Sequence, residues 1–440
     1  MISSLPDISF ADFETFKLKN AEILWINNSL IKEYEFFNDI ENIEEYILDN
    51  YSFVTEEYIN PSRILKNDSK IYGADRYGSR HEVCNGGSAR CGYDGLWQVK
   101  GIGITPLLSQ NMSKTHANGK LFLDEAISEA IWGEVCHRHL PYGAIRTLAI
   151  IKTNVTEEFL YLDDKPRKPC ALAIREFSVR PAHFERSTFF WPFQENMALR
   201  DNDAERVKKS IQHLPTLFKS EDDNKISPFE CIEKIVSVMA EQIAYSRIKG
   251  IPHGSLTSSN ISIDGRFLDF GTITAVPDFG NYVLSDGVGA VWDDHELIKK
   301  WIFNLSLTIN KYSDSDDKVC NEKIINLCGL FSKKLDYYEN VALLKELNIK
   351  TINSFSICIA SDIKKELVSN ERMTLSNFND SKFRSEIKLL AKNKGLDTEG
   401  GDFFLRNFKY SSFSILNNDF LKKSNYSRES IEKLIDSFCM

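Results

Sequence analysis

Residues 253–271, HGSLTSSNISIDGRFLDFG, decide the fold prediction because they form a hairpin pattern with polar residues at its open end. Asp264-Gly265 separates two short β-like runs, and this dipeptide favours a two-residue type I′ turn. Such a turn places Asn260 opposite Asp269. Side chains directly opposite in a hairpin have Cβ atoms about 4.5–5.5 Å apart. The turn therefore predicts an amide oxygen beside a carboxylate, and these are hard ligands of the kind that Mg²⁺ prefers.

The composition excludes several classes of protein. The 440 residues are 42% hydrophobic and 12% aromatic, which is enough for the cores of a two-lobed enzyme. A net charge of −9 argues against broad binding to nucleic acids or anionic membranes. The first residues lack a secretory signal pattern, no run of about 18 apolar residues exists, and the nine cysteines include no CxxC pair. We therefore expect a cytoplasmic protein with reduced thiols, no zinc site, and no nucleic-acid or membrane partner.

Helical and β-like patterns flank the hairpin. Residues 121–140 have apolar residues at helical spacing, and the β-like runs AIRTLAIIKTN and ALAIREFSV follow. A second helix has sharper ends: Ser227 is a candidate N-cap, Glu230 completes a capping box, and Gly250 stops the helix. Beyond residue 271 the pattern is mostly helical, with an acidic break at 313–317.

A glycine-rich loop, NGGSARCGYDG at 85–95, precedes the strand-like run LWQVK at 96–100. Glycines allow backbone N–H groups to approach phosphate oxygens closely, and Arg90 would add a charged contact. An ordinary surface loop is the alternative interpretation. Lys100 ends the strand, where a lysine is usually solvated but could also bind a nucleotide phosphate.

A nucleotide-binding lysine needs an acidic partner, which the helix at 121–140 can supply. Glu129 is the expected partner of Lys100, with Glu134 as the competing choice. Three further cations lie within twelve residues of this acidic chain, namely Arg175, Arg180 and Arg186. They suggest triphosphate binding, and a solvated face is the alternative.

The order of these parts is that of phosphoryl-transfer folds. Such folds place a capped helix, a loop and a metal-binding acid around their metal site, and here HG at 253–254 and DFG at 269–271 occupy the corresponding positions. We therefore expect an α+β, protein-kinase-like two-lobed fold. Its expected parts are an N-terminal extension packing on the kinase-like core (1–70), an N-lobe with nucleotide-binding loops (71–195) and a helical C-lobe (196–440).

The glycine loop and the lysine strand also resemble motifs of the selenoprotein O family, kinase-fold enzymes that transfer AMP from ATP to protein hydroxyls. GSAR resembles the family's GDGRA element, which implies nucleotide-binding roles for Gly87, Ser88 and Arg90. VKGIGITP resembles LKGxGxTP and implies the same for Lys100. NGK is similar to the DGR element, implying such roles for Asn118 and Gly119 as well.

Later motifs extend this resemblance. EAISE is similar to the family's SSIRE helix start and places the lysine's partner at Glu129. VRPAHFERSTFF resembles TRVAPSFxRFGxFE, which implies that Arg180 and Arg186 contact the nucleotide. Residues 253–271 resemble HGVMNTDN and the following DYG, which implies that Asn260 and Asp269 are metal ligands and, with Lys100 and Glu129, form the catalytic set. The implied cofactors are ATP and Mg²⁺, with Mn²⁺ as the alternative, and the implied partner is a protein or peptide acceptor.

The chain departs from the family where the acceptor would be activated. Ser259 stands where the family has its presumed base, Ser88 and Asn118 replace two aspartates, and Cys439 lacks the family's partner cysteine. Ser255 likewise replaces the base of small-molecule phosphotransferases. Three hypotheses follow: an AMP-transferring enzyme whose acceptor group is a carboxylate or phosphate rather than a hydroxyl, a kinase-like phosphotransferase, or a catalytically weak pseudokinase scaffold.

Overall fold

The structure is a computed structural model, and it describes residues 5–79, 84–113, 117–160, 163–218, 226–274, 281–283, 293–367, 372–374, 383–396 and 427–439. Strands dominate the first part of the described chain and helices dominate the second, so the fold is a mixed α+β fold.

One antiparallel sheet contains most of the described strands. Its strands are β1 (Phe10–Leu18), β2 (Glu22–Ile26), β3 (Phe53–Val54), β4 (Ile64–Asp75), β5 (Cys91–Tyr93), β6 (Trp97–Lys100), β7 (Leu121–Phe122), β8 (Thr147–Glu158) and β9 (Arg167–Glu176). Their order is β2-β8-β9-β6-β5-β4-β1-β3, with β7 also paired to β9. A separate parallel pair consists of β10 (Asn281–Val283) and β11 (Arg372–Thr374).

The N-terminal residues are part of this sheet. β2 lies at one end of the strand order and β3 at the other. β1 pairs with β4 along nearly its whole length. The expected boundary at residue 70 falls inside β4, because β4 runs without a break from residue 64 to residue 75.

The helices of the described chain are α1 (Asn28–Glu33), α2 (Ile43–Tyr51), α3 (Leu123–His139), α4 (Met197–Asp201), α5 (Asp203–His213), α6 (Pro228–Lys249), α7 (Asp294–Tyr312), α8 (Asn321–Glu346), α9 (Ser354–Leu367), α10 (Phe383–Asn393) and α11 (Arg428–Cys439). The predicted ends of α6 are confirmed. Ser227 and Glu230 form a reciprocal capping box, and Gly250 ends the helix with a φ of 72°.

Strand β9 separates two hydrophobic cores because its side chains alternate between the faces of the sheet. Cys170, Leu172 and Ile174 join a core with residues of α1, α2 and the N-terminal strands. Ala171 and Ala173 join a larger core with α3, α6, α7 and α8. The second face of the sheet is the one that carries the candidate site.

Helix α3 lies between the sheet and α11. Most of its residues are buried, including Glu129 near its middle. Ile431, Ile435 and Phe438 of α11 belong to the same core as Trp132 of α3. Since apolar groups cover α3 on several sides, the position of Glu129 is fixed by packing rather than by solvent-exposed contacts.

None of the helices in the described part of the chain is both long enough and apolar enough to cross a membrane. The eight cysteines whose side chains the structure describes are free thiols.

Candidate functional site

The hairpin turn has three residues rather than the predicted two. Ser262 N–H donates to the carbonyl oxygen of Arg266 at 2.9 Å, and Gly265 N–H donates to that of Ser262 at 2.9 Å. A type I′ turn would need a positive φ at both Asp264 and Gly265, but only Gly265 has one, of 90°. This is a type I turn followed by a bulge at a left-handed glycine.

The extra loop residue shifts the pairing by one position. Leu268 N–H donates to the Asn260 carbonyl oxygen at 3.2 Å, and Ile261 pairs with Phe267. Asn260 therefore lies opposite Leu268, and the predicted pairing of Asn260 with Asp269 is wrong. Asp269 follows the last hairpin position with a φ of 60°.

The Asp269 carboxylate lies among three cations. Its Oδ1 accepts hydrogen bonds from Lys100 Nζ at 2.8 Å and from Arg175 at 3.2 Å. Its Oδ2 accepts from Arg180 at 3.3 Å. Lys100 also donates to Glu129, the partner predicted for it. The competing choice, Glu134, instead pairs with Arg146, the residue just before β8.

The register of two strands explains how these cations come together. In the β6–β9 pair, Lys100 lies opposite Ala173 and Gln98 lies opposite Arg175. All four positions therefore face the same side of the sheet, towards α3. Ala173 packs in the core of that face, whereas Lys100, Gln98 and Arg175 bring polar groups into it. Buried polar groups require hydrogen-bond partners. Asp269 accepts from Lys100 and Arg175, Glu129 accepts from Lys100, and Gln98 bonds with Arg175.

Charge neutralisation keeps these groups ionised. Burial alone would raise the pKa of the Asp269 carboxyl, but Lys100, Arg175 and Arg180 outweigh it and hold that pKa well below its ordinary value. Burial alone would lower the pKa of Lys100, but Asp269 and Glu129 raise it. The site thus favours an ionised carboxylate next to charged cations.

The arginine pair at this site differs from the predicted one. Arg180 is present, with its guanidinium 4.9 Å from the centre of the Tyr77 ring. Arg186 instead donates to Asp203 at 2.6 Å and to the Tyr312 hydroxyl at 3.1 Å. The sequence pattern named Arg175 among three arginines that suggest triphosphate binding but gave it no contact with Asp269, although the alternation of β9 places it two positions after Ala173 on the same face.

The glycine-rich loop packs closely against neighbouring backbone. Ser88 N–H donates to the Asp75 carbonyl oxygen at 2.9 Å, and Gly86 N–H donates to that of Leu107 at 2.9 Å. Gly87 has a φ of 147°, and a Cβ there would lie 2.2 Å from the Asp75 oxygen. These two N–H groups are therefore used within the protein. The loop reaches the site through Arg90 rather than through them.

Arg90 connects the glycine loop to the ion cluster. It donates to Glu125 at 2.6 Å and to the Lys120 carbonyl oxygen at 2.9 Å. Glu125 also lies 3.8 Å from Lys100. The cluster as a whole joins four cations and three carboxylates: Arg90, Lys100, Arg175, Arg180, Glu125, Glu129 and Asp269.

Asn118 and Gly119 lie beside the loop that follows Lys100. Gly103 N–H donates to the Gly119 carbonyl oxygen at 3.1 Å. Gly119 has a φ of 66°, and a Cβ there would lie 2.2 Å from the Gly103 carbonyl carbon. Asn118 Oδ1 accepts a hydrogen bond from Lys120 N–H at 3.1 Å. The two motifs that resemble GxG and DGR are therefore in direct contact.

Asp294 holds the loop at 253–260, a role that the sequence pattern did not indicate. Its carboxyl oxygens accept hydrogen bonds from Gly254 N–H at 2.9 Å and Leu256 N–H at 3.1 Å. Burial raises the pKa of Asp294. Asp294 begins α7, and an acid in a first helical turn is too common to signal a second contact.

Hydroxyl groups surround the Asn260 side chain. Its amide donates to the Ser255 carbonyl oxygen at 2.8 Å, and its Oδ1 accepts from the Ser259 hydroxyl at 3.3 Å. Ser259 also lies 2.9 Å from the Thr257 hydroxyl. Ser258 donates to Glu185 at 2.8 Å, and Glu185 is buried. The position expected for a base thus holds a hydroxyl within a chain of hydroxyls.

The donor set fits a divalent cation bound together with a phosphate anion. Asp269 offers an ionised carboxylate that is 27% exposed, and Asn260 offers an amide oxygen with one long hydrogen bond. The surrounding arginines and lysine would otherwise repel a metal ion, so an anion that engages them makes the site more favourable for the metal.

Comparison with known proteins shows that Lys100, Glu129 and Asp269 lie within a region that resembles a known family. The family model described as "Protein adenylyltransferase SelO" matches residues 87–286. The chain is 26% identical over 197 residues to the "Protein nucleotidyltransferase YdiU" of Trichodesmium erythraeum, which covers 41% of this chain and 36% of the relative. The resemblance to the selenoprotein O family is therefore confirmed.

Two other curated relatives with the same name agree. The protein of Shewanella loihica is 25% identical over 191 residues, covering 43% of this chain, and that of Pseudoalteromonas atlantica is 24% identical over 200 residues, covering 44%. The matched segment spans 36% of the length of each relative, so the chain matches about a third of these proteins.

Proposed function

We propose that this chain, whose central part matches the SelO family, is a nucleotidyltransferase that transfers AMP from ATP to a protein or peptide acceptor. The observation that carries the proposal is the cluster in which Lys100 contacts both Glu129 and Asp269. All three residues lie within 87–286, the region that matches the family model. The relatives matched over this region are named protein nucleotidyltransferases.

The proposed architecture is a two-lobed, kinase-like fold. The site lies where β6, β9 and α3 meet the loop and hairpin at 253–271, which follow α6. This supports a nucleotide site between a sheet-containing lobe and a helical lobe. The proposed division is an N-lobe at 71–195 and a C-lobe at 196–440, and the residues at 1–70, expected as an extension, contribute β1, β2, β3 and part of β4 to the sheet of the N-lobe.

The excess of cations supports binding of ATP phosphates. With four cations facing three carboxylates, the cluster has a net positive charge in a protein of formal net charge −9. Such a local positive charge attracts a polyanion. Lys100, Arg90 and Arg180 are the proposed phosphate contacts, and Arg175 joins them because it shares the Asp269 carboxylate.

The remaining predicted nucleotide contacts have weaker support. Gly87, Ser88, Asn118 and Gly119 lie in the two loops that flank β5 and β6, and they are proposed to shape the nucleotide site. Arg186 is 38% exposed and ion-paired with Asp203, so we propose that it contacts nucleotide only when that ion pair rearranges.

Asn260 and Asp269 are the proposed ligands of Mg²⁺, or of Mn²⁺. When bound, the metal would neutralise phosphate charge at the reacting centre. Lys100 and Glu129 orient the Asp269 carboxylate and neutralise its surroundings. Arg175 binds the same carboxylate oxygen as Lys100 and Arg180 binds the other one, so the carboxylate is held in place before ligands arrive.

The acceptor is proposed to be a group that is already ionised. The segment at 253–260 contains no Asp or Glu, and Asp264 in the turn is bound to Arg266 at 3.0 Å. A general base typically contributes about 10²–10⁴-fold to transfer to a hydroxyl. A carboxylate or phosphate acceptor needs no base, which makes it compatible with Ser259.

The test is to incubate the chain with peptide and protein mixtures and either α-labelled or γ-labelled ATP. AMP transfer predicts that label from the α position reaches the acceptor, with an AMP-sized mass increase, and that Asp269→Asn abolishes it. Label arriving only from the γ position would instead identify a kinase-like phosphotransferase. Calorimetric ATP binding without transfer of either label would identify a nucleotide-binding scaffold.

A further inference from the structure

Gln98 connects Arg175 to a buried carboxylate. Arg175 Nε donates to Gln98 Oε1 at 2.9 Å, and Gln98 Nε2 donates to Asp75 Oδ1 at 2.8 Å. Gln98 is 1% exposed and Asp75 is fully buried. The other side of the Arg175 guanidinium donates to Asp269. A continuous hydrogen-bonded path therefore runs from Asp75 to the carboxylate at the centre of the site.

A second path joins the same two carboxylates through Arg180. The Arg180 backbone N–H donates to His183 Nδ1 at 2.8 Å, and His183 Nε2 lies 3.1 Å from Asp75 Oδ2. An ionised carboxylate only accepts hydrogen bonds, so the His183 proton resides on Nε2. The Arg180 side chain then donates to Asp269 Oδ2.

We propose that Asp75, Gln98 and His183 are positioning residues that fix Arg175 and Arg180 around Asp269. The two paths close a ring in which Asp75 and Asp269 lie at opposite ends and the arginines lie between them. This inference rests on the proposed function, because its activity readout is AMP transfer. It gives roles to three residues to which the motifs assigned none, and one of them, Asp75, precedes the matched region 87–286.

The amide of Gln98 suits this positioning role. Its amide accepts from Arg175 and donates to Asp75 at the same time, which neither Glu nor Leu can do. Glu at this position would keep acceptance from Arg175 but place a carboxylate against Asp75. The restraint matters because a guanidinium must be correctly oriented to contact a phosphate. A guanidinium that is free to rotate stabilises the reacting phosphate less well.

The first test concerns the ring itself and needs no activity. Long-range ¹H–¹⁵N spectra of the full chain labelled with ¹⁵N-histidine report which ring nitrogen of His183 is protonated, with His183→Gln as the assignment control. The ring predicts a neutral imidazole with its proton on Nε2. A proton on Nδ1 would overturn the path through His183.

The second test concerns positioning. Gln98→Leu and Gln98→Glu should lower kcat for AMP transfer by about 10- to 100-fold, as is typical when a group that orients a binding residue is removed. Gln98→Leu should cost no further activity when Arg175 is already replaced by Ala, because Gln98 acts through Arg175. If kcat of the double variant, Gln98→Leu with Arg175→Ala, falls by the product of the two single losses, the proposal is contradicted.

A matched control separates positioning from general loss of packing. Thr153 is equally buried in β8 of the same sheet and donates to the Cys170 carbonyl oxygen at 2.9 Å, away from the ring. Thr153→Val should leave kcat unchanged, and a Gln98→Leu chain no less active than Thr153→Val would overturn the proposal. If Gln98→Leu fails to fold, the activity of Gln98→Glu, which keeps the shape of the side chain, tests the proposal instead. A wild-type chain that transfers no label refutes the proposed function, whereas the histidine tautomer still tests the ring.

Discussion

Lys100 Nζ lies 2.8 Å from Asp269 Oδ1, although 169 residues separate the two in sequence. One residue ends a strand of the sheet and the other follows the hairpin after α6. Their contact joins the sheet to the loop on which the candidate metal ligands lie. Changes at either residue should therefore affect ligand binding more than they affect the packing of either part alone.

Replacing Lys100 with Met should abolish most AMP transfer. The methionine keeps much of the side-chain volume but removes the cation shared by Glu129 and Asp269. Loss of one charge-stabilising donor at a reacting centre costs about 10²–10³-fold in kcat. Label transfer from α-labelled ATP measures this.

The matched control for that variant is Lys209→Met. Lys209 is half exposed and forms an ion pair with Glu205 on the surface of α5. It should transfer AMP at the wild-type rate. Equal losses in the two lysine variants would mean that Lys100 has no special role.

Restoring an acid at the base position should widen acceptor choice. Ser259→Asp should raise transfer to a hydroxyl acceptor by up to about 10²–10⁴-fold, since a general base contributes that much. Ser259→Asn, with the same shape and no acidity, should give no such gain. The measurement compares AMP transfer to a serine-containing peptide, and similar rates for both variants would refute a missing-base explanation.

Replacing Asp203 with Asn should destabilise the fold. Asp203 accepts hydrogen bonds from Arg186 and from Arg206, and the Arg206 side chain is fully buried. Removing one partner of a buried ion pair costs about 3–5 kcal/mol because it leaves an uncompensated charge. Urea unfolding measures the change, and Glu205→Gln on the same helix should alter it little.

The contribution of Asp203 should depend on pH. Burial alone would raise the pKa of Asp203, but Arg206, Arg186 and Ser187 lower it below the ordinary value. Because this pKa is lower in the folded state, ionised Asp203 stabilises the fold fully above its unfolded pKa of about 3.9. That stabilisation is lost as the pH falls towards the folded pKa. The difference in unfolding free energy between wild type and Asp203→Asn should therefore be constant from about pH 5 to 7 and shrink below about pH 4. A difference that grows on acidification would contradict it.

Two glycine substitutions should change the free energy of unfolding in opposite directions. Gly119→Ala forces a Cβ to within 2.2 Å of the Gly103 carbonyl carbon at a φ of 66°, so it should cost at least about 1 kcal/mol. Gly329→Ala lies inside α8 with nothing within 4 Å, and it should stabilise by about 0.5–1 kcal/mol. Chemical denaturation of both variants checks the pair, and changes of the same sign would count against the tight contact at Gly119.

Local signals predicted the helix ends and the central ion pair correctly. The capping box at Ser227 and the stop at Gly250 depend on chemistry within a few residues, which the sequence displays directly. The choice of Glu129 for Lys100 followed from helix spacing and from the family motif. The predicted register of the hairpin was wrong because Asp264-Gly265 suits both a two-residue and a three-residue turn. The hydrogen bonds at Ser262 are those of the three-residue turn.

Contacts between distant segments could not be predicted from local patterns. Arg175 enters the site because β9 pairs with β6, and Asp75 because β4 lies beyond β5 in the same sheet. Asp294 meets the loop at 253–260 only after α7 has packed. No spacing rule relates these residues, since tertiary packing alone brings them together.

The position of β2 in the sheet has a consequence for how the chain folds. β2 ends at residue 26, and its partner β8 begins at residue 147. At a synthesis rate of about 5–20 residues per second, β8 emerges from the ribosome on the order of ten seconds after β2. During this time the apolar residues Ile23, Leu24 and Trp25 of β2 have no sheet to join. Early folding of this protein therefore depends on protecting a short unpaired strand from aggregation until the middle of the chain has been made.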